Sequence, residues 1–183
     1  MKLVTFELNG KECVGIVSAD EKQVSSTKYG SMLELIESGE KPEPLETMDI
    51  SEVKILAPIP HPDIIGVGEN YKDHAAEAAH LRPEKPEQAK TQYFIKRVNR
   101  AVAPGDPIEA HEDIDCKLDY EVELAVVIGK GGRYIKAENA FDHVFGYTVL
   151  NDASGRQQQF DYARLCYGKG LDNLAPMGPW IVT

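Results

Sequence analysis

The chain has 183 residues, of which 20 are basic and 30 acidic, for a net charge of −10. That length holds one domain with a real core, plus a small appendage. With only Lys96, Arg97 and Arg100 bunched, the charge argues against a nucleic-acid partner, because phosphate contacts need clustered Lys and Arg.

The N-terminal stretch "MKLVTFELNGKE" has neither the apolar region nor the cleavage site of a signal peptide. No run approaches the roughly 18 apolar residues of a membrane helix. Cys13, Cys116 and Cys166 form no metal-binding pattern and read as reduced thiols, so the expected setting is cytoplasmic, with no membrane partner.

In chain order, "KLVTFELNGKECVGIVSAD" alternates apolar and polar residues about Asn9-Gly10, which predicts a hairpin. "SMLELIESGE" predicts a helix with Ser31 and Glu34 as a capping box, an apolar stripe of Met32, Leu33, Leu35 and Ile36, and Gly39 as its stop. "KPEPLET" reads as a linker, so residues 1–55 are expected to form a small N-terminal subdomain and residues 56–183 the main one. "VKILAPI", "DIIGVG", "TQYFIK" and "PIEA" are candidate strands, with "LRPEKPEQAK" as a mobile loop. "YEVELAVVIG", a short helix at "AENAFDHV", and the strands "FGYTVLND" and "MGPWIVT" follow. Strands outnumber helices, so the expected class is α+β and β-rich.

Successive side chains of a strand face opposite ways, so Glu121 and Glu123 share a face. Two carboxylates that close repel unless something positive lies between them. All-oxygen ligation points to Mg²⁺, Mn²⁺ or Ca²⁺ rather than zinc. A solvent-facing acidic strand edge gives the same E-x-E spacing. Asp152, where "FGYTVLND" ends, is placed to be a third acid, although Asn151-Asp152 also suits a turn. Asp119 shares parity with the glutamates and competes as a ligand. His74 and Glu77, three apart on an expected short helix, can pair so that the acid fixes the imidazole as a general base. A surface ion pair has the same spacing. "GVGEN" lacks the full dinucleotide fingerprint.

Taken together, "GVGENYKDHAAE", "QYFIK", "PGDPI", "LDYEVELAVVIGKGGRYI", "HVFGYTVLNDASGR" and "GKGLDNLAPMGPWIVT" resemble the fumarylacetoacetate hydrolase family, in its order and approximate spacing, from about residue 55 onward. The resemblance implies a mixed-sheet roll, usually dimeric, with a Mg²⁺ or Mn²⁺ site and 2-oxo or β-diketo acid substrates. It also implies further strands beyond Thr183 that complete the fold. By match to the family's motifs, Glu121, Glu123 and Asp152 are the metal-binding acids. His74 and Glu77 are the catalytic pair, Lys169 the active-site lysine, and Arg156 and Gln159 a substrate-contacting pair. Gly155 and Gln157 depart from the usual pattern around Arg156, and "KRVNR" departs from a typical Lys-x-Pro/Ser segment.

The reaction these matches imply first is Mg²⁺-dependent hydrolytic cleavage of a C–C bond in an acylpyruvate or diketo acid. Decarboxylation, lyase or isomerase chemistry on oxaloacetate or a keto-sugar acid uses the same core. A truncated, non-catalytic metal-binding relative is the alternative of another class.

Overall fold

A computed structural model describes residues 1–68, 70–73, 76, 91–114, 117–162 and 164–183. The expected hairpin forms from β1 (Lys2–Leu8) and β2 (Lys11–Val17), paired in register from Lys2↔Val17 to Leu8↔Lys11. Its turn needs positive φ at both central residues, and Asn9 (51°) and Gly10 (74°) supply it at little cost. Strand β3 (Gln23–Ser26) follows, then helix α1 (Met32–Ser38). The Ser31 hydroxyl accepts the Glu34 N–H at 3.2 Å, and Gly39 ends the helix at φ 64°.

Two details of α1 differ from expectation. The Glu34 carboxylate takes the N–H of Gly30 at 2.8 Å, one residue earlier than a capping box would have it. Leu33 is exposed, since on a helical period it lies away from the face that buries Met32, Leu35 and Ile36. Ser31→Ala is expected to cost about 1 kcal/mol in denaturant unfolding. An unchanged midpoint would show that this hydroxyl does not cap the helix.

Strands β4 (Thr47–Asp49), β5 (Lys54–Leu56), β6 (Ile64–Gly68), β7 (Gln92–Lys96), β8 (Leu118–Asp119), β9 (Val122–Ile128), β10 (Val144–Asn151), β11 (Ser154–Gly155) and β12 (Met177–Val182) follow along the chain. Among the described residues the main sheet has the order β4-β3-β2-β1-β12-β10-β9, with β5 also on β1. Pairs β6–β7 and β8–β11 stand apart from it. The sheet is continuous between the first 55 residues and the last strand, because Lys2 pairs with Val182 and Leu3 with Ile181. Helix α1 packs on this sheet over a core that includes Leu3, Val14, Leu35 and Ile181. The class is therefore α+β and dominated by strands.

Other expectations need correction. "PIEA" forms no strand: Pro107 has no N–H to give a ladder, and the Glu109 N–H is taken by Asn173 Oδ1 at 3.1 Å. "AENAFDHV" becomes a 3-10 segment, Ala137–His143. Two short helices that the sequence pattern did not reveal, α2 (Arg156–Asp161) and α3 (Leu165–Lys169), lie between β11 and β12. Residues 81–90, expected to be a mobile loop, lie outside the described residues.

Strand β9 begins at Val122, so Glu121 sits just before it. The alternation holds, but its sense matters. Glu121 and Glu123 are partly buried, whereas Val122 (69% exposed), Leu124 (60%), Val126 and Ile128 face outward. The apolar side chains at these alternate positions thus form an exposed stripe, opposite an inward face on which the two glutamates precede Ala125 and Val127. Among the described residues no helix is long and apolar enough to cross a membrane.

Candidate active site

The end of β10 delivers the central acid. Asn151 closes the strand, and its side-chain carbonyl accepts the Glu121 N–H at 3.0 Å. The Asp152 N–H donates to the Glu121 carbonyl at 2.8 Å. These two bonds clip the entrance of β9 to the exit of β10. They bring two expected metal ligands together although thirty residues separate them.

Asp152 is 4% exposed and lies between two buried lysines, Lys96 (2%) and Lys169 (3%). Lys169, at the last turn of α3, donates to Asp152 Oδ2 at 2.5 Å, Glu121 Oε1 at 2.8 Å and Ser154 Oγ at 2.9 Å. An ammonium has three donors, and here all three are used. Its Nζ also lies over the Phe94 ring, 5.1 Å from the ring centre, within cation–π range. Helix α3 can approach this closely because Gly168 has no side chain: a Cβ there would fall 2.5 Å from the Gly155 carbonyl oxygen.

Lys96, at the end of β7, donates to the carbonyls of Ala153 (3.0 Å) and Lys169 (2.8 Å). Its Nζ also sits 2.8 Å from Asp152 Oδ1. That contact is an ion pair off the hydrogen-bond direction, so Oδ1 is buried without a hydrogen-bond partner among the described residues. Burial pushes the Lys96 pKa down, and the adjacent Asp152 opposes the shift. An ammonium removed from water is stable only when such acceptors replace its hydration.

Arg156 opens α2 and reads the other side of Glu121. Its guanidinium meets Glu121 Oε1 at 2.8 Å, Asp119 Oδ2 at 2.9 Å through two nitrogens, and Gln159 Oε1 at 2.9 Å. Arg156 and Gln159, expected to work as a pair, therefore touch. Asp119 faces the guanidinium as its partner. Glu123 is the acid with the least compensation: desolvation raises its pKa, the charges of Glu121 and Asp152 raise it further, and a hydrogen bond from Tyr71 partly offsets them. The Tyr71 hydroxyl also accepts the Leu124 N–H at 3.1 Å, which ties the Tyr71 side chain to β9. His74 and Glu77 lie outside the described residues.

A divalent cation can be tested against these side chains. The donors are all oxygen, and the Glu123 pKa is raised first by desolvation and then by the negative charges of Glu121 and Asp152. A hard dication fits that chemistry and that charge. As arranged, the Lys169 ammonium fills the space between Glu121 and Asp152. Among the described residues no three His, Cys, Asp or Glu side chains are grouped closely enough to hold an ion. The donor types suit the metal, then, while this disposition of them is one of ion pairing to lysine.

Lys96, Ser154 and Tyr71 are site residues that the sequence reading missed. For Lys96 a signal existed. On β7 it shares parity with Phe94, while Tyr93 and Ile95 face out at 70% and 74% exposure, so the lysine is on the inward face. Ser154 and Tyr71 gave no comparable sign, because their partners are distant in sequence.

Residues 63–183 match the family model described as "Fumarylacetoacetate (FAA) hydrolase C-terminal". The chain belongs to the fumarylacetoacetate hydrolase family. An oxaloacetate tautomerase of Bacillus subtilis is 38% identical over 100% of this chain and 69% of its own length. A fumarylacetoacetate hydrolase from Exiguobacterium antarcticum has the same fold, with a TM-score of 0.82 and 34% identity over 100% of this chain and 66% of that one. A maleylpyruvate hydrolase from Sphingobium sp., solved in complex with manganese(II) and pyruvate, gives a TM-score of 0.71 and 25% identity over 100% and 67%. This member of the family thus spans about two thirds of these relatives' lengths.

Proposed function

We propose that the protein is an enzyme that interconverts the enol and keto forms of a 2-oxo dicarboxylic acid of the oxaloacetate type, with Mg²⁺ or Mn²⁺ held by Glu121, Glu123 and Asp152. The observation that carries this reading is Lys169. It is a buried cation paired with two carboxylates, Glu121 and Asp152, with the neutral Ser154 hydroxyl as its weakest acceptor. A substrate oxygen that gains negative charge on enolisation would displace that hydroxyl and take a charge-assisted hydrogen bond instead. The whole-chain likeness to an oxaloacetate tautomerase supports the choice of substrate.

A divalent ion, when bound, supplies Lewis-acid polarisation of the 2-oxo acid. Arg156 presents a planar fork suited to a carboxylate, and Gln159 holds it from behind. His74 oriented by Glu77 is the proposed proton carrier. Hydrolytic C–C cleavage of an acylpyruvate or diketo acid is the second reading. The hydrolase solved with manganese and pyruvate favours it, since pyruvate is the expected product of that cleavage. The two reactions share Lys169 and the acids, and differ in whether the proton carrier serves water or the substrate carbon.

The test is equilibration of freshly dissolved enolic oxaloacetate, followed by its ultraviolet absorbance, beside loss of acetylpyruvate. Metal-loaded protein should accelerate the first, a chelator should stop it, and Glu123→Ala should lower it by about 100-fold or more. A ligand at a hundred times its Kd adds about 2.7 kcal/mol of stability, so Mn²⁺ should raise the wild-type Tm and leave that of Glu123→Ala unmoved. Folded, metal-loaded protein inert on both substrates would defeat the proposal.

Assembly as a homodimer belongs to the same proposal, supported by the exposed apolar side chains of β9. Sedimentation equilibrium should give twice the chain mass, and a monomer at micromolar concentration would remove this part.

A further inference from the structure

We propose that Lys96 is a positioning residue for this centre, tying Asp152, the Ala153 carbonyl and the end of the helix that carries Lys169 into one fixed unit. The inference rests on the proposed metal site and adds to it a residue that does not itself meet metal or substrate.

The acceptors that Lys96 reaches within 3.0 Å are Asp152 Oδ1 and the carbonyl oxygens of Ala153 and Lys169. They belong to the central acid, to the residue after it, and to the residue whose own ammonium binds Asp152 Oδ2. Asp152 is thus gripped at both oxygens, by Lys96 on one side and Lys169 on the other. The main chain of Lys169 is held by the same cation that grips Asp152 from behind. If space-filling were all that this position required, an apolar side chain of similar volume would do it without burying a charge. A buried ammonium instead fixes the rotation of one carboxylate and the approach of one helix end together.

Electrostatics and positioning predict opposite signs on removal. Deleting a cation beside a dication site strengthens metal binding on Coulomb grounds. Loss of the tether lets Asp152 rotate and α3 shift, and so weakens it. A residue with only a structural role would lower the Tm and leave the affinity of the folded protein unchanged.

The experiment titrates Mn²⁺ into wild-type, K96M, K96Q and E123A proteins, read by electron paramagnetic resonance. K96M is expected to bind Mn²⁺ at least tenfold more weakly than wild type, with a broadened spectrum for the bound ion. K96Q, which keeps an amide donor, should recover part of that affinity. K96M binding as tightly as wild type or tighter, with an unchanged spectrum, overturns the inference. Should K96M fail to fold, K96Q carries the test, and wild-type affinity there overturns it equally. Wild type without Mn²⁺ binding, or E123A retaining it in full, overturns the metal reading and this inference with it. Either result is distinguishable from failure at Lys96 alone.

Discussion

Asp152→Ala is expected to be the most damaging single substitution in the site. It would leave Lys96 and Lys169, both nearly inaccessible, without the carboxylate that lies between them. Removing one partner of a buried ion pair costs about 3–5 kcal/mol, because the surviving charge stays desolvated. For a domain of this size that lowers the Tm by on the order of 10 °C. The same variant should lose metal-dependent stabilisation. A Tm within one or two degrees of wild type would mean that Asp152 is not the counter-ion of two buried lysines. Asp152→Asn tests the charge apart from the volume and should be nearly as destabilising, since Lys96 loses its carboxylate partner and Lys169 is left with Glu121 alone.

Lys169→Met is expected to act chiefly on turnover. Its ammonium is the cation placed to meet developing negative charge, and removing one such donor elsewhere lowers kcat by about 10²–10³-fold. KM should change much less, because the interaction strengthens as the charge develops. Steady-state kinetics on oxaloacetate checks this. An unchanged kcat with a raised KM would assign Lys169 to binding the ground state. Arg156 provides the contrast: it is 23% exposed at its side chain and faces Asp119, Glu121 and Gln159. Its replacement by Met should therefore raise KM before it lowers kcat.

Local signals carried the fold well where they were strong. Asn9-Gly10 set the first hairpin and its register, and Ser31 with Gly39 bounded α1, because in both cases the backbone requirement is met by the residue at that position. Glu121, at the entrance of β9, and Glu123 within it were legible as a shared inward face from their period of two. The exposure of Val122, Leu124, Val126 and Ile128 was not legible, because hydrophobicity alone does not tell an inner face from an exposed one. Helices α2 and α3 were invisible because each is under two turns long, and α3 carries Gly168 inside it and Gly170 as its C-cap. Their stability comes from packing on β11 and on each other. The assignment of Lys169 came from the likeness of "GKGLD" to the family. Its three hydrogen bonds join segments that no local pattern links. Lys96 shares the inward parity of Phe94 on β7, but the groups that hold it, in the loop after β10 and at the end of α3, are distant in sequence.

The proposed chemistry depends on Glu121, Glu123 and Asp152 turning their oxygens to one shared cation beside Lys169. Anomalous diffraction from crystals grown with Mn²⁺ tests that directly. The predicted result is a single strong peak within coordination distance of all three carboxylates, with the Lys169 ammonium moved from between Glu121 and Asp152 but still close by. A peak coordinated elsewhere, or full loading of the protein with these carboxylates still paired to lysine, would contradict it.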